Sequence, residues 1–462
     1  MKRRIFWISF ILVCILILTA CDSILPPPLT AKQLERRVDR KMNDLQSYRI
    51  DVEMKYTVYV NANKVTGTAT GFMLEDKGEG KDDYYSYMEM TNETKSGSTT
   101  IRLRNVDAYH EGIAYSLFGD GKVTRRLSAE MTRAEYDTYR DGDSLVEINL
   151  QDCDKTEMEK TDTGYVLKYS DYSAEAVEEF AQASGLEKEV FGEDLRDLHV
   201  TIEVSKDYLP VKITLDPVFD YEEGEYYQSK VAITMTFSQF NEVERITKSF
   251  STMQYTEIES LQLLKDFDQL IDDRIEAQSG SFTSTTSQNT TFMAQTDKQS
   301  QTSKVSFERT EGGLTFSADV TDEAGASSHI TYKDGEKITE ANGKTHTGTM
   351  SEDKAEAFIA DLIHDPAMGY NINYVSNIEK TEQGYLVTMA VSKYSAMGQS
   401  IASTGATFGN GKHTIEFVLN GDELKAIKVE YSGQGIITLD FGWSSSNATL
   451  HFDGSTTVKF DK

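Results

Sequence analysis

The chain has 462 residues, with 47 Lys and Arg against 75 Asp and Glu, a net charge of −28 and 39% hydrophobic residues. That length suits about two to three domains, and the apolar share excludes wholesale disorder. The acidic excess excludes a phosphate-reading nucleic-acid surface, while three cysteines and six prolines exclude a disulfide scaffold and a proline-rich chain.

The first thirty residues read as an address. Lys2, Arg3 and Arg4 precede the apolar run Ile5 to Leu18, which is too short for a comfortable membrane span and closes on Leu18-Thr19-Ala20-Cys21. Charge, apolar run and tetrapeptide stand in the order of a bacterial lipobox, which places cleavage between Ala20 and Cys21 and a diacylglyceryl (palmitate-type) anchor on Cys21. A plain transmembrane anchor or an ordinary secretory signal with a chance cysteine is the competing reading. Two acyl chains hold a soluble body on a bilayer where one would not. Residues 21–29 then form the anchor and a stiff spacer, Pro26-Pro27-Pro28. Cleavage after residue 20 removes three positive charges and no acids, deepening the net charge from −28 to −31. Such a body is repelled by anionic head groups and stands off the membrane. Of the other cysteines, Cys14 lies in the removed segment, and Cys153 has no nearby His and suits a buried or half-buried structural role.

Beyond the spacer, Thr30 and Gln33 have the spacing of a helix capping box, and Leu34, Val38, Met42 and Leu45 make one apolar helix face. The period then changes. Ile50, Val52, Met54, Tyr56, Val58 and Val60 alternate with polar residues from Tyr48 on, the pattern of an antiparallel strand covered on one side. Further strands are predicted at Thr66–Leu74, Tyr84–Thr91, Thr99–Tyr109 and Ile113–Phe118. Helices are predicted at Thr132–Tyr139 and Ser173–Ala183, then strands at Leu198–Val204, Val211–Leu215 and Lys230–Phe237.

The pattern restarts with a helix at Ser260–Glu276 and polar strands after it. Lys160-Thr161-x-x-Gly164-Tyr165 recurs as Lys380-Thr381-x-x-Gly384-Tyr385, and Ser170-x-Tyr172-Ser173-Ala174 as Ser392-x-Tyr394-Ser395-Ala396. Tyr109-x-x-Gly112 recurs as Tyr332-x-x-Gly335, Gly121-Lys122 as Gly343-Lys344, and Thr201-Ile202-Glu203 with Leu209 as Thr414-Ile415-Glu416 with Leu424. Several matches in one order point to a duplicated unit, with lobes at 30–252 and 257–462. Ser279 to Thr302 is nearly all Ser, Thr and Gln, which suits either a flexible loop or an exposed edge strand.

Catalytic signatures are weak. Seven histidines are scattered at 110, 199, 329, 346, 364, 413 and 451 without a metal-ligand spacing. Gly343-Lys344-Thr345 matches only the end of a P-loop, since Ile338 stands where its first glycine is required, and a hairpin turn explains it better. Ser351-x-x-Lys354 has the spacing of a penicillin-recognising serine, yet Ser351 before Ala355, Phe358, Ile359 and Leu362 reads as a helix cap. The acidic run Asp216 to Glu225 lacks calcium-loop spacing. Tyr84, Tyr85, Tyr87, Met88 and Met90 line a ligand face or pack a core. No enzyme activity, cofactor, metal or catalytic residue is expected.

The helix-to-strand entry Leu45-Gln46-Ser47-Tyr48, on a lipobox chain of helix and one-sided strands, resembles the LolA/LppX superfamily. The resemblance implies incomplete barrels plugged by helices that hold acyl chains. The resulting expectation is an α+β fold of two tandem lobes, each a curved antiparallel sheet (an incomplete barrel) packed with an N-terminal helix and inserted helices. It further implies a membrane-anchored, extracytoplasmic lipoprotein of the cell envelope that binds a lipid or other hydrophobic ligand. The alternative is a non-catalytic scaffold with solid cores that binds an envelope protein.

Overall fold

The computed structural model describes residues 29–60, 63–78, 83–97, 99–121, 123–140, 153–184, 195–219, 229–246, 253–363, 369–393, 395, 397–398, 401, 405–440 and 445–461. The lipobox with Ala20 and Cys21, the Pro26-Pro27-Pro28 spacer, His364 and the acidic run beyond residue 219 lie outside the described residues. Among the described residues, no helix is long and apolar enough to cross a membrane. Chain contacts divide the molecule into two compact units, Met1–Gly121 with Glu130–Met253, and Lys122–Ala129 with Gln254–Lys462.

The first unit opens with α1 (Ala31–Asp44), β1 (Ser47–Val60), β2 (Asn63–Asp76), β3 (Tyr85–Ser96), β4 (Thr99–His110) and β5 (Ile113–Gly119). After β6 (Val123–Glu130), most of which belongs to the second unit, come α2 (Arg133–Arg140), β7 (Cys153–Lys160), β8 (Gly164–Tyr172) and α3 (Ala174–Ser184). The strands β9 (Leu195–Ser205), β10 (Pro210–Phe219) and β11 (Lys230–Ser238) complete it. Its sheet is antiparallel, in the order β5-β4-β3-β2-β1-β11-β10-β9-β8-β7. The first strand therefore pairs with the last, Ile50 opposite Phe237 and Val52 opposite Met235.

The alternation in β1 sends Ile50, Val52 and Val58 into the core, where Leu34 and Val38 of α1 and Phe180 of α3 meet Leu198, Val200 and Ile202 of β9. Each such side chain contributes about 1.5–3 kcal/mol on burial. The capping box starts α1 as expected, Thr30 Oγ1 accepting from Gln33 N while Gln33 Oε1 accepts from Thr30 N. A strap at residues 241–246 closes the other side of the unit. Gln46 N donates to Asn241 Oδ1 at 2.7 Å, Arg245 binds Asp76 and Asp83, and Tyr85 Oη accepts from Ile246 N.

The second unit contains β12 (Thr256–Glu257), α4 (Leu263–Ile275), β13 (Ser279–Phe292), β14 (Gln295–Thr310), β15 (Gly313–Asp322), β16 (Ser327–Lys333), β17 (Glu336–Ala341) and β18 (Lys344–Thr349). Then follow α5 (Glu352–Ile363), β19 (Val375–Thr381), β20 (Gly384–Met389), β21 (Thr407–Asn420), β22 (Glu423–Asp440) and β23 (Ser445–Phe460). The order is β18-β17-β16-β15-β14-β13-β23-β22-β21-β20-β19, and β12 pairs in parallel with β6. Adding twelve to each strand label of the first unit reproduces the second from β17 to β19. Phe267 of α4 stacks on Phe417 of β21 at 4.4 Å, and Phe358 of α5 stacks on Phe316 of β15 at 5.1 Å.

The repeated Lys-Thr-x-x-Gly-Tyr motif forms the β7–β8 and β19–β20 hairpins, pairing Lys160 with Tyr165 and Lys380 with Tyr385. Gly164 and Gly384 have φ of 157° and 145°, and a Cβ on either would collide with the carbonyl oxygen of Val204 or Phe417. Only glycine fits both demands.

The expected α+β class of two tandem lobes is corrected. Among the described residues 63% are strand and 17% helical, so the chain is mostly β, on two large sheets that are not closed barrels. The helices run 8 to 14 residues while strands reach 18, so each helix covers part of a sheet and forms no layer of its own. The units are also not a plain tandem pair, because Lys122–Ala129 groups with the second. The Ser/Thr/Gln-rich stretch is strand and not loop: Gln295–Ser300 of β14 are exposed and pair only with β13, as an edge does, whereas β13 pairs with β14 on one side and β23 on the other. Backbone bonds on both sides hold it where apolar side chains are few.

Candidate functional site

Register alone assigns the faces of the first sheet. Ile50, Val52, Met54, Tyr56 and Val58 of β1 stand opposite Met73, Gly71, Ala69, Gly67 and Val65 of β2. These in turn stand opposite Met88, Met90, Asn92, Thr94 and Ser96 of β3. Among the described residues the three helices of this unit pack on this face: α1 and α3 over β1 and β8–β11, and α2 over β3–β5, where Tyr136 stacks on Tyr109 at 4.7 Å. Between those covers Met54, Tyr56, Met73, Met88, Met90 and Leu103 are only half-buried. Their floor is the small-residue row Gly67, Ala69 and Gly71 on β2.

Two side chains lie across that floor. A Cβ at Gly67 would overlap the Tyr56 ring, and one at Gly71 would overlap the Met90 sulfur. Tyr56 Oη is anchored by Thr94 Oγ1 at 2.6 Å and Asn92 Oδ1 at 3.3 Å. An aromatic ring over a strand glycine restores packing the glycine cannot supply. Methionines are unbranched and polarizable and adapt to varied apolar shapes. The face is thus apolar, deformable and half-open.

One end of the face is polar. Arg140 of α2 donates to the fully buried Ser86 Oγ at 2.9 Å and touches the Met73 sulfur at 3.3 Å. Tyr48 donates to the carboxylate of Glu75, which is buried. Asp107, also buried, accepts from Ser116 Oγ at 2.7 Å and from Tyr139 Oη at 3.4 Å. Burial first, and then the neighbouring Glu75 carboxylate, push the Tyr48 phenol well above its ordinary range, so it remains a donor. On α1, burial with the nearby Glu35 charge raises the Asp39 carboxyl to about 7.

The equivalent face of the second unit is different. Through the pairs Phe417–Ile427, Ile427–Val458, Val458–Ser284 and Ser284–Ser303, the face under α4 continues into Ser284, Thr286 and Gln288 of β13 and Ser303, Gln301 and Gln299 of β14. Hydroxyls and amides stand where the first unit presents methionines. This unit also holds a cavity of about 380 Å³ lined by Glu257, Ile258, Glu259, Ile378, Lys380 and Tyr385.

The residues that the sequence singled out are dispersed. Tyr84, Tyr85 and Tyr87 are buried, and Tyr85 and Tyr87 lie on the face opposite Met88 and Met90, so the run is split by the pleat. His329 pairs with Asp319 at 2.7 Å and His199 with Asp197 at 3.3 Å, while His413 is buried on β21. Among the described residues, no group of three or more His, Cys, Asp or Glu is placed to hold a metal. Gly343 sits in the β17–β18 hairpin turn and Lys344 opens β18 opposite Ala341, while Ser351 O accepts from Ala355 N at the start of α5. Cys153 is half-buried at the start of β7, in no disulfide, with its Sγ 3.5 Å from Thr156 Oγ1. Sequence reasoning missed Arg140 and Glu75. The alternation Gly67-x-Ala69-x-Gly71 beside Met54 and Met73 was the available signal for the methionine face.

No protein-family model matches the chain, and no curated protein matches it. Among solved structures, the lipoprotein LppX of Mycobacterium tuberculosis overlaps 47% of this chain and 100% of its own, at 12% identity and a TM-score of 0.22. A putative AttH from Nitrosomonas europaea overlaps 89% of this chain and 93% of its own, at 7% identity and a TM-score of 0.13. A porin-like protein from Bacteroides uniformis overlaps 90% and 97%, at 7% identity and a TM-score of 0.13. Scores this low carry neither fold nor function across.

Proposed function

We propose that the chain is a non-catalytic, membrane-anchored extracytoplasmic lipoprotein that holds a lipid or other apolar ligand on the methionine face of its first unit. The anchor rests on the Leu18-Thr19-Ala20-Cys21 lipobox. The ligand rests on one observation: Met54, Met73, Met88 and Met90 stay half-buried around a floor of Gly67, Ala69 and Gly71. Soluble proteins seldom leave contiguous apolar side chains open without a use.

The test is to purify the body without residues 1–21, extract it with organic solvent and identify what is released by mass spectrometry. An amphiphile near one equivalent is expected, with most of it lost in Met88→Glu/Met90→Glu. An empty wild-type extract, or an unchanged yield from the double variant, refutes the reading. The scaffold alternative draws on the core under α1, which the chain's own Leu34, Val38 and Phe180 fill. Cross-linking in cells that recovers a protein and no lipid supports it instead.

A further inference from the structure

Within the second unit, the cavity beside the β19–β20 hairpin combines three kinds of wall. Ile258 and Ile378 are buried and supply an apolar side. Lys380 Nζ donates to both oxygens of Glu259, at 3.0 and 3.2 Å, and sits 5.7 Å from the centre of the Tyr385 ring. Glu257 is exposed, and its carboxylate has no partner among the described residues. Two carboxylates against one ammonium leave an uncompensated negative charge beside an aromatic ring and aliphatic carbon.

The matching hairpin of the first unit shows what such a place accommodates. Tyr165, the counterpart of Tyr385, stacks on Tyr208 with centroids 6.1 Å apart and planes at 16°. Arg37 lays its guanidinium 4.8 Å above the Tyr208 ring and donates to Tyr208 Oη at 2.5 Å. The first unit thus covers the ring of its hairpin with a second aromatic ring and a guanidinium of its own. In the repeat, Leu209 corresponds to Leu424, so Tyr208 corresponds to Glu423, which pairs with Arg274 and Lys425 instead. Tyr385 packs edge-on against Phe267 at 5.4 Å, and a cavity remains in front of it.

We propose that this cavity binds an organic cation, a guanidinium or ammonium group on a short apolar stem, with Glu257 and Glu259 as counter-charges and Tyr385 as its aromatic wall. A cation of this kind gains from ring and carboxylate together. Both a free amine and a basic side chain of a partner protein present that chemistry.

The test is ligand-observed NMR on the full body without residues 1–21, with butylguanidinium as probe and butylurea as its neutral isostere. Saturable butylguanidinium binding with a Kd on the order of millimolar is expected, weakened by salt, with none for butylurea. Glu257→Gln weakens it about three- to tenfold, the scale of one charge-assisted contact. Lys380→Met releases Glu259 and tightens binding several-fold, a gain that a misfolded variant does not produce. Equal binding of butylurea, or no tightening in Lys380→Met, overturns the proposal. A capped Gly-Arg-Gly peptide that binds better than butylguanidinium assigns the site to a partner's side chain. A peptide that binds no better assigns it to a small free cation.

Discussion

Replacing Arg140 by Met leaves the buried Glu75 carboxylate with a weaker counter-charge and deprives Ser86 Oγ of its donor. Among the described residues no ion pair joins the two, so what is lost is a through-space attraction and the hydrogen bond to Ser86, together about 1–3 kcal/mol. Glu75→Gln keeps an acceptor for the Tyr48 hydroxyl and alone costs about 1 kcal/mol. In the double variant no charge is stranded, and the total falls below the sum of the singles by about 1–2 kcal/mol. Urea unfolding by near-ultraviolet circular dichroism, with hydrogen exchange of the α2 amides, is the suitable assay. Additive costs, or an Arg140→Met protein as stable as the parent, refute the view that Arg140 and Glu75 neutralise each other.

Asp39 is held protonated to about 7, against 3.8 for an ordinary Asp. A native state that binds the extra proton loses stability as pH rises from about 4 to 7. Asp39→Asn is therefore expected to raise the melting temperature by a few degrees at pH 8 and by almost nothing at pH 4. An equal gain at both pH values counts against a titrating Asp39. Gly384→Ala places a Cβ against the Phe417 carbonyl at a φ of 145° and is expected to cost about 2–3 kcal/mol, read by urea unfolding followed by circular dichroism. Gly164→Ala meets the Val204 carbonyl in the same way and should cost a similar amount, while Gly112→Ala, in open space at a turn, should cost less.

Much of the strand framework was legible. The alternation from Tyr48 to Val60, the α1 capping box and the Lys-Thr-x-x-Gly-Tyr hairpins all rest on local chemistry, and local chemistry repeats wherever the residues do. The fold class was not legible, because it depends on how much chain the sheets absorb. Ser279 to Thr302 carries almost no apolar period, and it is strand because β14 and β23 supply backbone partners. The candidate site was legible only in fragments. Tyr84 to Met90 looked like one lining, but the pleat sends alternate members to opposite faces, and the true neighbours of Met88 and Met90 are Met73 and Gly71 across the ladder. Arg140 gave no signal, since a basic residue ending a short helix reads as ordinary dipole compensation.

The pairing of first strand with last has a kinetic consequence. Arg49 cannot meet Ser238, nor Phe282 meet Phe460, until nearly the whole of the corresponding unit has been delivered. The middle of each sheet is therefore the part that must wait longest, and long-range pairing of this kind closes slowly. A chain threaded stepwise through a pore would stay open during passage and condense only after its final strand emerges, unit by unit.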